Sequence, residues 1–203
     1  MAFKKFWVIE AIGSLLGAFI IAVLIRTFIV QPFQIPSDSM EPTLHGDMRF
    51  GDKIFVSKFD HLVSSVKRGD IVIFPVANIK ALDPSKTYVK RLVGLPGDKV
   101  EIRDGHIYIQ DQKIDYPHIF RDNVYYNTTK RGPRGEGQYG MKNNPITVPE
   151  DSYFVLGDNS SASYDSRWWG FVPKNSIMGT VFMIYWPLSR FQIFKHPLAM
   201  SNL

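Results

Sequence analysis

The sequence predicts a mostly β body that follows one N-terminal transmembrane helix. Its 203 residues are enough for one ordinary domain with an appendage, and 45% hydrophobic with 21% charged residues is typical of a folded chain. Apolar residues form one long run at the N-terminus. After Pro32 they occur in short runs separated by Gly, Pro, Asp and Asn. Long runs of this kind indicate a helix, and short punctuated runs indicate strands.

The apolar run extends from Phe6 to Val30, interrupted only by Glu10 and Arg26. A helix rising about 1.5 Å per residue would carry this run across a hydrocarbon core of about 30 Å. Two lysines precede it, so the positive-inside rule favours a single-pass protein with a cytoplasmic N-terminus and an extracytoplasmic body. A cleavable signal peptide and a buried core helix are the alternatives. No Ala-x-Ala-like site follows the run, which disfavours the first.

We therefore divide the chain into a cytoplasmic stub and anchor, residues 1–30, and a β-rich body, residues 31–203. Within the body, residues 99–150 are predicted as a smaller hairpin and loop excursion. The pair Asp104-Gly105 indicates a tight hairpin turn, since both residue types tolerate the backbone that such turns need. The predicted strands are 48–56, 70–76, 87–93, 99–103, 106–110, 152–156 and 179–186.

Composition excludes several kinds of site. The chain has no cysteine, which rules out disulfides, thiol nucleophiles and Cys-based zinc sites. No His pair or calcium-loop motif indicates a metal. The net charge of +5 is mild and includes no long basic run, so we expect no nucleic-acid partner.

The first candidate for chemistry is the peptide 35–44, which follows the apolar run. Pro36 and Pro42 bracket Ser37 and Ser39. Each proline fixes its own φ and restricts the residue before it, so this loop holds a serine hydroxyl in a defined position. Taken alone, the peptide is better explained as a simple Pro/Ser turn that leaves a helix.

The second candidate is Lys90 in the predicted strand 87–93. Adjacent residues of a strand point to opposite faces, so Lys90 and Arg91 each share a face with apolar neighbours. Burial would lower the pKa of a lysine and leave a neutral amine able to act as a general base. A lysine whose amine reaches back to water is the common alternative.

Two further segments stand out. Residues 157–172 follow a predicted strand and are rich in Asp, Asn and Ser, as in loops that hydrogen-bond their own backbone. Residues 51–58 are interpreted as scaffold. The histidines lie in no recognisable motif, so a Ser/His/Asp triad has no support.

Together these segments resemble the membrane-anchored bacterial type I signal peptidases, also called leader peptidases. The resemblance covers nearly the whole chain: an anchor is followed by boxes at 36–44, 51–53, 90–98 and 157–172, in this order. One such box is weakly specific, but four in order are highly specific. The resemblance implies an endopeptidase that removes signal peptides from exported preproteins at the outer face of the membrane, after small residues of the Ala-x-Ala type.

The resemblance also implies a fold and a set of site residues. The fold is a coiled antiparallel β-sheet, with Ser39 as nucleophile and Lys90 as general base in an acyl-enzyme mechanism. Ser37 and the Ser39 backbone N–H form the oxyanion hole, and Ser163 orients the lysine. Structural support is assigned to Arg91, Asp158, Asp165 and Arg167. The shallow apolar substrate pockets are assigned to Phe33, Ile35, Pro36, Met40, Leu44 and Val89. No cofactor and no metal are implied.

Two other functions remain open at this point. One is a self-cleaving Ser/Lys protein similar to phage-type repressors, although the chain has no helix-turn-helix. The other is a non-enzymatic, membrane-tethered β-domain that binds an envelope partner. We also expect the body itself to contact membrane lipid, because Trp and exposed aromatic rings favour the headgroup region. The aromatic residues in question are Trp168, Trp169, Phe171, Trp186, Phe191 and Phe194.

Overall fold

The structure, a computed structural model, describes residues 2–58, 66–77, 79, 82–128, 137–142 and 144–194. The helices are α1 (Ala2–Phe28), α2 (Ile119–Asp122) and α3 (Ser166–Trp169). Short 3-10 helices lie at Asp38–Met40, Ser160–Ala162, Lys174–Ser176 and Leu188–Arg190. The strands are β1 (Val30–Gln34), β2 (Lys53–Ser57), β3 (Ile71–Pro75), β4 (Thr87–Gly94), β5 (Lys99–Arg103), β6 (His106–Ile109), β7 (Gln112–Lys113), β8 (Ile146–Thr147), β9 (Ser152–Leu156), β10 (Val172–Pro173), β11 (Gly179–Trp186) and β12 (Gln192–Ile193).

The apolar run forms helix α1, but it ends two residues earlier than predicted. Val30 begins β1, because its backbone and that of the next four residues pair with β2. Among the helices of the described residues we find none that is both long enough and apolar enough to span a bilayer. The predicted crossing from Phe6 to Val30 is therefore not supported.

Most of the body is one antiparallel sheet of eight strands, in the order β1-β2-β11-β3-β4-β9-β10, with β12 paired to β11. The register shifts between β11 and β2 and between β4 and β9. Such irregularities bend a strand and increase its twist. The predicted mostly β, antiparallel fold class is confirmed.

A second sheet, in the order β7-β6-β5-β8, lies within residues 99–147. Its β5–β6 hairpin turns at Asp104 and Gly105, which both have positive φ, at 51° and 81°. This is the turn that the Asp-Gly pair predicts. Phe120 of α2 is fully buried among the apolar side chains of this sheet.

β4 connects the apolar clusters of the core. Leu92 packs in a cluster around Phe74, and Val93 packs in another beneath the small sheet. Val89 packs against a third cluster, which contains Ile54. Lys90 and Arg91 lie between these residues on β4. They are therefore placed in the interior of the sheet, where their side chains need polar partners.

The prediction of a strand over 48–52 is wrong. Met48 and Phe50 are both 79% exposed, and the carboxylate of Asp47 accepts hydrogen bonds from the backbone N–H groups of Arg49 and Phe50. An Asp side chain that caps its own chain in this way favours a turn over a ladder. The strand begins only at Lys53.

Candidate active site

Ser39 and Lys90 are 51 residues apart in sequence and meet in the fold. The Nζ of Lys90 lies 2.8 Å from the Oγ of Ser39, and the Val89 carbonyl accepts a hydrogen bond from Nζ at 3.0 Å. Ser39 is 7% exposed and Lys90 is 4% exposed. Nζ also lies 5.3 Å from the ring centre of Tyr88, on the same face of β4. A hydroxyl and an amine at this distance can exchange a proton directly.

Two glycines allow the serine loop, residues 35–45, to pack this closely. A Cβ on Gly46 would lie 1.7 Å from the carbonyl oxygen of Ser37, and a Cβ on Gly157 would lie 2.5 Å from that of Ser39. The Asn159 backbone N–H donates to the same Ser39 carbonyl at 3.0 Å. Only residues without a side chain fit at such contacts, so both glycines set the position of the 3-10 helix that carries Ser39.

Two further serines lie near this pair. The hydroxyl of Ser37 is 3.4 Å from the Oγ of Ser39, at the long end of hydrogen-bond distance. The hydroxyl of Ser163 is fully buried and makes no hydrogen bond to any described atom. A Cβ on Gly157 would lie 2.2 Å from it, which places Ser163 beside the serine loop. Ser163 therefore makes no hydrogen bond to Lys90 here, and its role in orienting the lysine stays a prediction.

Arg91 pairs with Asp158 in the interior. Its Nε and one terminal nitrogen donate to the two carboxylate oxygens at 2.7 and 2.6 Å. It also donates to the Gly69 carbonyl at 2.7 Å and to the Thr43 hydroxyl at 3.3 Å. Burial opposes the charge of Arg91, but the charge and hydrogen bonds of Asp158, together with the nearby Tyr125 and Asp70, raise the pKa of the guanidinium. The pair connects β4 to the loop after β9 and to the serine loop.

Arg167 and Asp165 form a second ion pair, separate from that of Arg91 and Asp158. Both side chains are 0% exposed, and Arg167 donates to both carboxylate oxygens of Asp165 at 2.8 Å. It also donates to the Ser160 hydroxyl and to the backbone carbonyl of Tyr126. The Gly157 backbone N–H donates to Asp165 at 3.0 Å. The four residues assigned to structural support therefore form two ion pairs, and both pairs brace the loop 157–160.

The predicted pocket residues converge beside Ser39. Ile35, Met40 and Leu44 are buried in one apolar cluster, and Phe33 and Val89 pack against it. Pro36 is exposed at its edge. In this way β1, the serine loop and β4 supply one apolar surface.

Comparison with known proteins decides the family. Residues 8–186 match the model of the family described as signal peptidase, peptidase S26. A probable signal peptidase I-2 from Synechocystis is 36% identical over 178 residues, which cover 87% of this chain and 72% of that protein. Signal peptidase I of Bacillus licheniformis is 36% identical over 187 residues, which cover 92% of each chain. The chain belongs to this signal peptidase family.

A solved structure of a signal peptidase I from Enterococcus faecalis is also similar to this chain. It aligns with 58% of this chain and 97% of its own, at 30% identity and a TM-score of 0.41.

In the described part of this signal peptidase, no group of three or more acidic, His or Cys side chains is arranged to hold a metal.

Some expectations and omissions concern single residues. Trp168 and Trp169 are buried, because α3 packs them against the cluster around Phe74, so they cannot contact lipid as predicted. Sequence reasoning treated Asp52 as scaffold and missed its ion pair with Arg190, which lies 138 residues away. No local sequence pattern predicts a partner so distant in sequence.

The buried pair of Arg167 and Asp165 leads to a stability prediction. Replacing Arg167 with Ala should lower the free energy of unfolding by about 3–5 kcal/mol, because it leaves a buried carboxylate without its partner. Denaturant titration monitored by circular dichroism measures this. Arg121→Ala is the control, since Arg121 pairs with Asp122 on the surface and should leave the midpoint unchanged. Equal midpoints for both variants would contradict the structural role.

Proposed function

We propose that this chain is a serine endopeptidase that removes N-terminal signal peptides from exported preproteins, with Ser39 as nucleophile and Lys90 as general base. The observation that carries the proposal is the 2.8 Å contact between Lys90 and Ser39 in a buried site. Membership of the signal peptidase family supports the substrate class. A serine hydroxyl is a poor nucleophile until an adjacent base takes its proton.

The reaction follows from this contact. Nζ of Lys90 accepts the Ser39 proton while Oγ attacks the scissile carbonyl carbon and an oxyanion forms. The intermediate then collapses, the C–N bond breaks, and Lys90 returns the proton to the departing amine. Water next attacks the acyl-enzyme with Lys90 again as base, which releases the signal peptide and restores Ser39.

The two neighbouring serines have separate roles in this proposal. The Ser37 hydroxyl and the Ser39 backbone N–H donate hydrogen bonds to the oxyanion, which stabilises charge where it develops. The Ser37 hydroxyl lies next to the attacking oxygen, as this requires. The Ser163 hydroxyl has an unused hydrogen-bonding capacity in the buried site. We propose that this hydroxyl orients the amine of Lys90, as the family resemblance implies.

Substrate selection depends on two strand edges. Among the described strands, β1 pairs only with β2, and β9 covers β4 only from Arg91 onward. We propose that the preprotein binds as an added strand between these edges. The apolar cluster of Ile35, Met40 and Leu44 then lies beneath the residues before the cut, and its dense packing admits only small side chains such as Ala.

Membrane attachment is part of the proposal. We propose that the body works at the outer face of the membrane, the orientation that the two lysines before the apolar run indicate. Exposed apolar side chains on α1 support contact with lipid: Ile12, Leu15, Leu16, Phe19, Ile20, Ile21 and Val23. Exposed apolar side chains on the body support it as well: Met48, Phe50, Trp186, Leu188 and Phe191.

The first prediction concerns the dyad. Ser39→Ala and Lys90→Ala should each reduce cleavage of a labelled preprotein by at least about a thousandfold without loss of fold, because the two groups act as a unit. Ser85→Ala and Lys86→Ala are matched controls on exposed positions near the start of the same strand, and they should cleave normally. Activity retained in either dyad variant would refute the assignment.

The second prediction concerns pH. Only the neutral amine of Lys90 accepts a proton, and burial disfavours the charged form, so kcat/KM should fall on the acidic side with an apparent pKa below about 10.4. Rates measured with saturating detergent between about pH 5 and pH 10 test this. A profile that stays flat down to about pH 5 would exclude Lys90 as the base.

The third prediction concerns specificity. A preprotein with Phe in place of the Ala before the scissile bond should resist cleavage by the unaltered enzyme, since no space accepts the ring. Met40→Ala or Leu44→Ala in the enzyme should enlarge the pocket. These enzyme variants should then measurably cleave a preprotein with Leu in place of that Ala. Leu92→Ala, buried in a different cluster, is the control for general loosening of the core. Ready processing of the Phe preprotein by the wild-type enzyme would reject the pocket.

The fourth prediction concerns lipid. A form that begins at Ile29, and so retains β1, should still bind anionic vesicles, and the fluorescence of half-exposed Trp186 should shift to the blue on binding. Replacing Met48, Phe50 and Leu188 together with Ser should abolish binding, whereas Val124→Ser, an exposed position beside the β5–β6 turn of the small sheet, should not. A truncated form that ignores vesicles would limit membrane contact to α1.

A further inference from the structure

Arg190 makes a bidentate ion pair with a fully buried carboxylate. Its Nε donates to Asp52 Oδ1 at 2.9 Å, and a terminal nitrogen donates to Oδ2 at 3.0 Å. The side chain of Asp52 is 0% exposed, while that of Arg190 is 37% exposed. Hydrogen bonding to Asp52 raises the pKa of Arg190. Arg190 lies in the turn between β11 and β12, beyond the end of the family match at residue 186.

Asp52 in turn closes the base of the serine loop. Its side chain accepts a hydrogen bond from the His45 backbone N–H at 2.7 Å. Its backbone N–H donates to the His45 carbonyl at 2.8 Å, and its carbonyl accepts from the Ile35 N–H at 2.9 Å. One residue therefore fixes both ends of the loop 35–45, which carries Ser39.

Arg190 also reaches the loop directly. Its terminal nitrogen lies 3.4 Å from the Thr43 carbonyl and 3.5 Å from the Pro42 carbonyl. The Leu44 N–H donates to the Met40 carbonyl at 2.9 Å, so a displacement of residues 42–45 is passed to the residue next to Ser39. From a different strand, Arg91 holds the Thr43 hydroxyl.

We propose that Arg190 is a positioning residue for Ser39, acting through Asp52 and the carbonyls of Pro42 and Thr43. Two arginines hold the loop behind the nucleophile, Arg91 from β4 and Arg190 from the β11–β12 turn. The turn after β11 is thereby a part of the catalytic machinery, although it is remote in sequence from all four boxes. This inference rests on the proposed role of Ser39.

The geometry requires an arginine. A planar guanidinium satisfies both carboxylate oxygens at once and still extends toward the backbone carbonyls, whereas a lysine ammonium offers a single point of charge. Displacements of about 1 Å at a reacting group reduce rates by up to about a hundredfold. The effect should therefore appear in kcat and leave substrate binding largely unchanged.

The test compares Arg190→Gln, Arg190→Lys and Arg103→Gln in the full chain with detergent. Arg103 is the matched control: it is 35% exposed and pairs with Glu101 at 2.8 Å in the small sheet. Arg190→Gln should lower kcat by about tenfold to a hundredfold with KM changed less than about twofold. Arg190→Lys should fall between Arg190→Gln and the wild type, and Arg103→Gln should turn over normally. Unfolding midpoints and active-site titration report the folded fraction in each preparation.

A second readout is chemical rescue. The side chain of Arg190 borders an open cleft of about 450 Å³ together with Pro42, Thr43 and Gln192, so a small cation can enter the space that a truncated side chain leaves. Millimolar guanidinium should partly restore kcat in Arg190→Ala, and equal potassium chloride should not.

Wild-type kcat in Arg190→Gln would overturn the proposal. So would a loss of activity fully accounted for by a smaller folded fraction without rescue by guanidinium. If Ser39→Ala itself remained active, the proposed function would fail, and this outcome is distinguishable because it does not depend on Arg190.

Discussion

The whole site depends on holding a lysine amine 2.8 Å from a serine hydroxyl in a place that water hardly reaches. Burial of an ammonium is unfavourable, and in the proposed mechanism this makes the neutral amine a usable base. The fold must therefore hold Lys90 in the interior against its tendency to reach solvent. β4 does so, because its neighbouring apolar residues belong to three different core clusters and leave its backbone little freedom to shift.

Ser39, the proposed nucleophile, lies on a loop and must also be held in position. Backbone contacts at Gly46 and Gly157 bring that loop against the rest of the site, and the Asn159 N–H holds the Ser39 carbonyl. The two buried ion pairs, Arg91–Asp158 and Arg167–Asp165, lie next to these contacts. Each replaces lost hydration by several hydrogen bonds to one guanidinium, which is the condition under which a buried charge pair is tolerated. Their common effect is geometric: they fix where the loops 35–45 and 157–160 lie.

Local patterns predicted much of this arrangement. The bounds of β5, β9 and β11 agree with their apolar runs, and the Asp-Gly pair predicted its hairpin. Residues 48–52 were mistaken for strand because the capping role of the Asp47 side chain outweighs the apolar pattern. β1 was not predicted, since only Val30 lies in the apolar run and no local pattern marks residues 31–34 as an edge strand. The Arg190–Asp52 pair was invisible because it is purely tertiary. The resemblance of the sequence boxes to the family identified Ser39 and Lys90 as site residues. Only the fold shows that the two side chains are in contact.

In the proposed mechanism the Ser39 oxygen becomes acylated during turnover. The direct measurement is mass spectrometry of enzyme quenched with acid while it processes a slowly deacylating signal-peptide substrate, followed by proteolysis and sequencing of the modified peptide. We expect a population of enzyme heavier by the mass of the acyl fragment, with the adduct on Ser39 and none in Lys90→Ala. An adduct on another residue, or burst-phase turnover in which Ser39 never carries one, would contradict it.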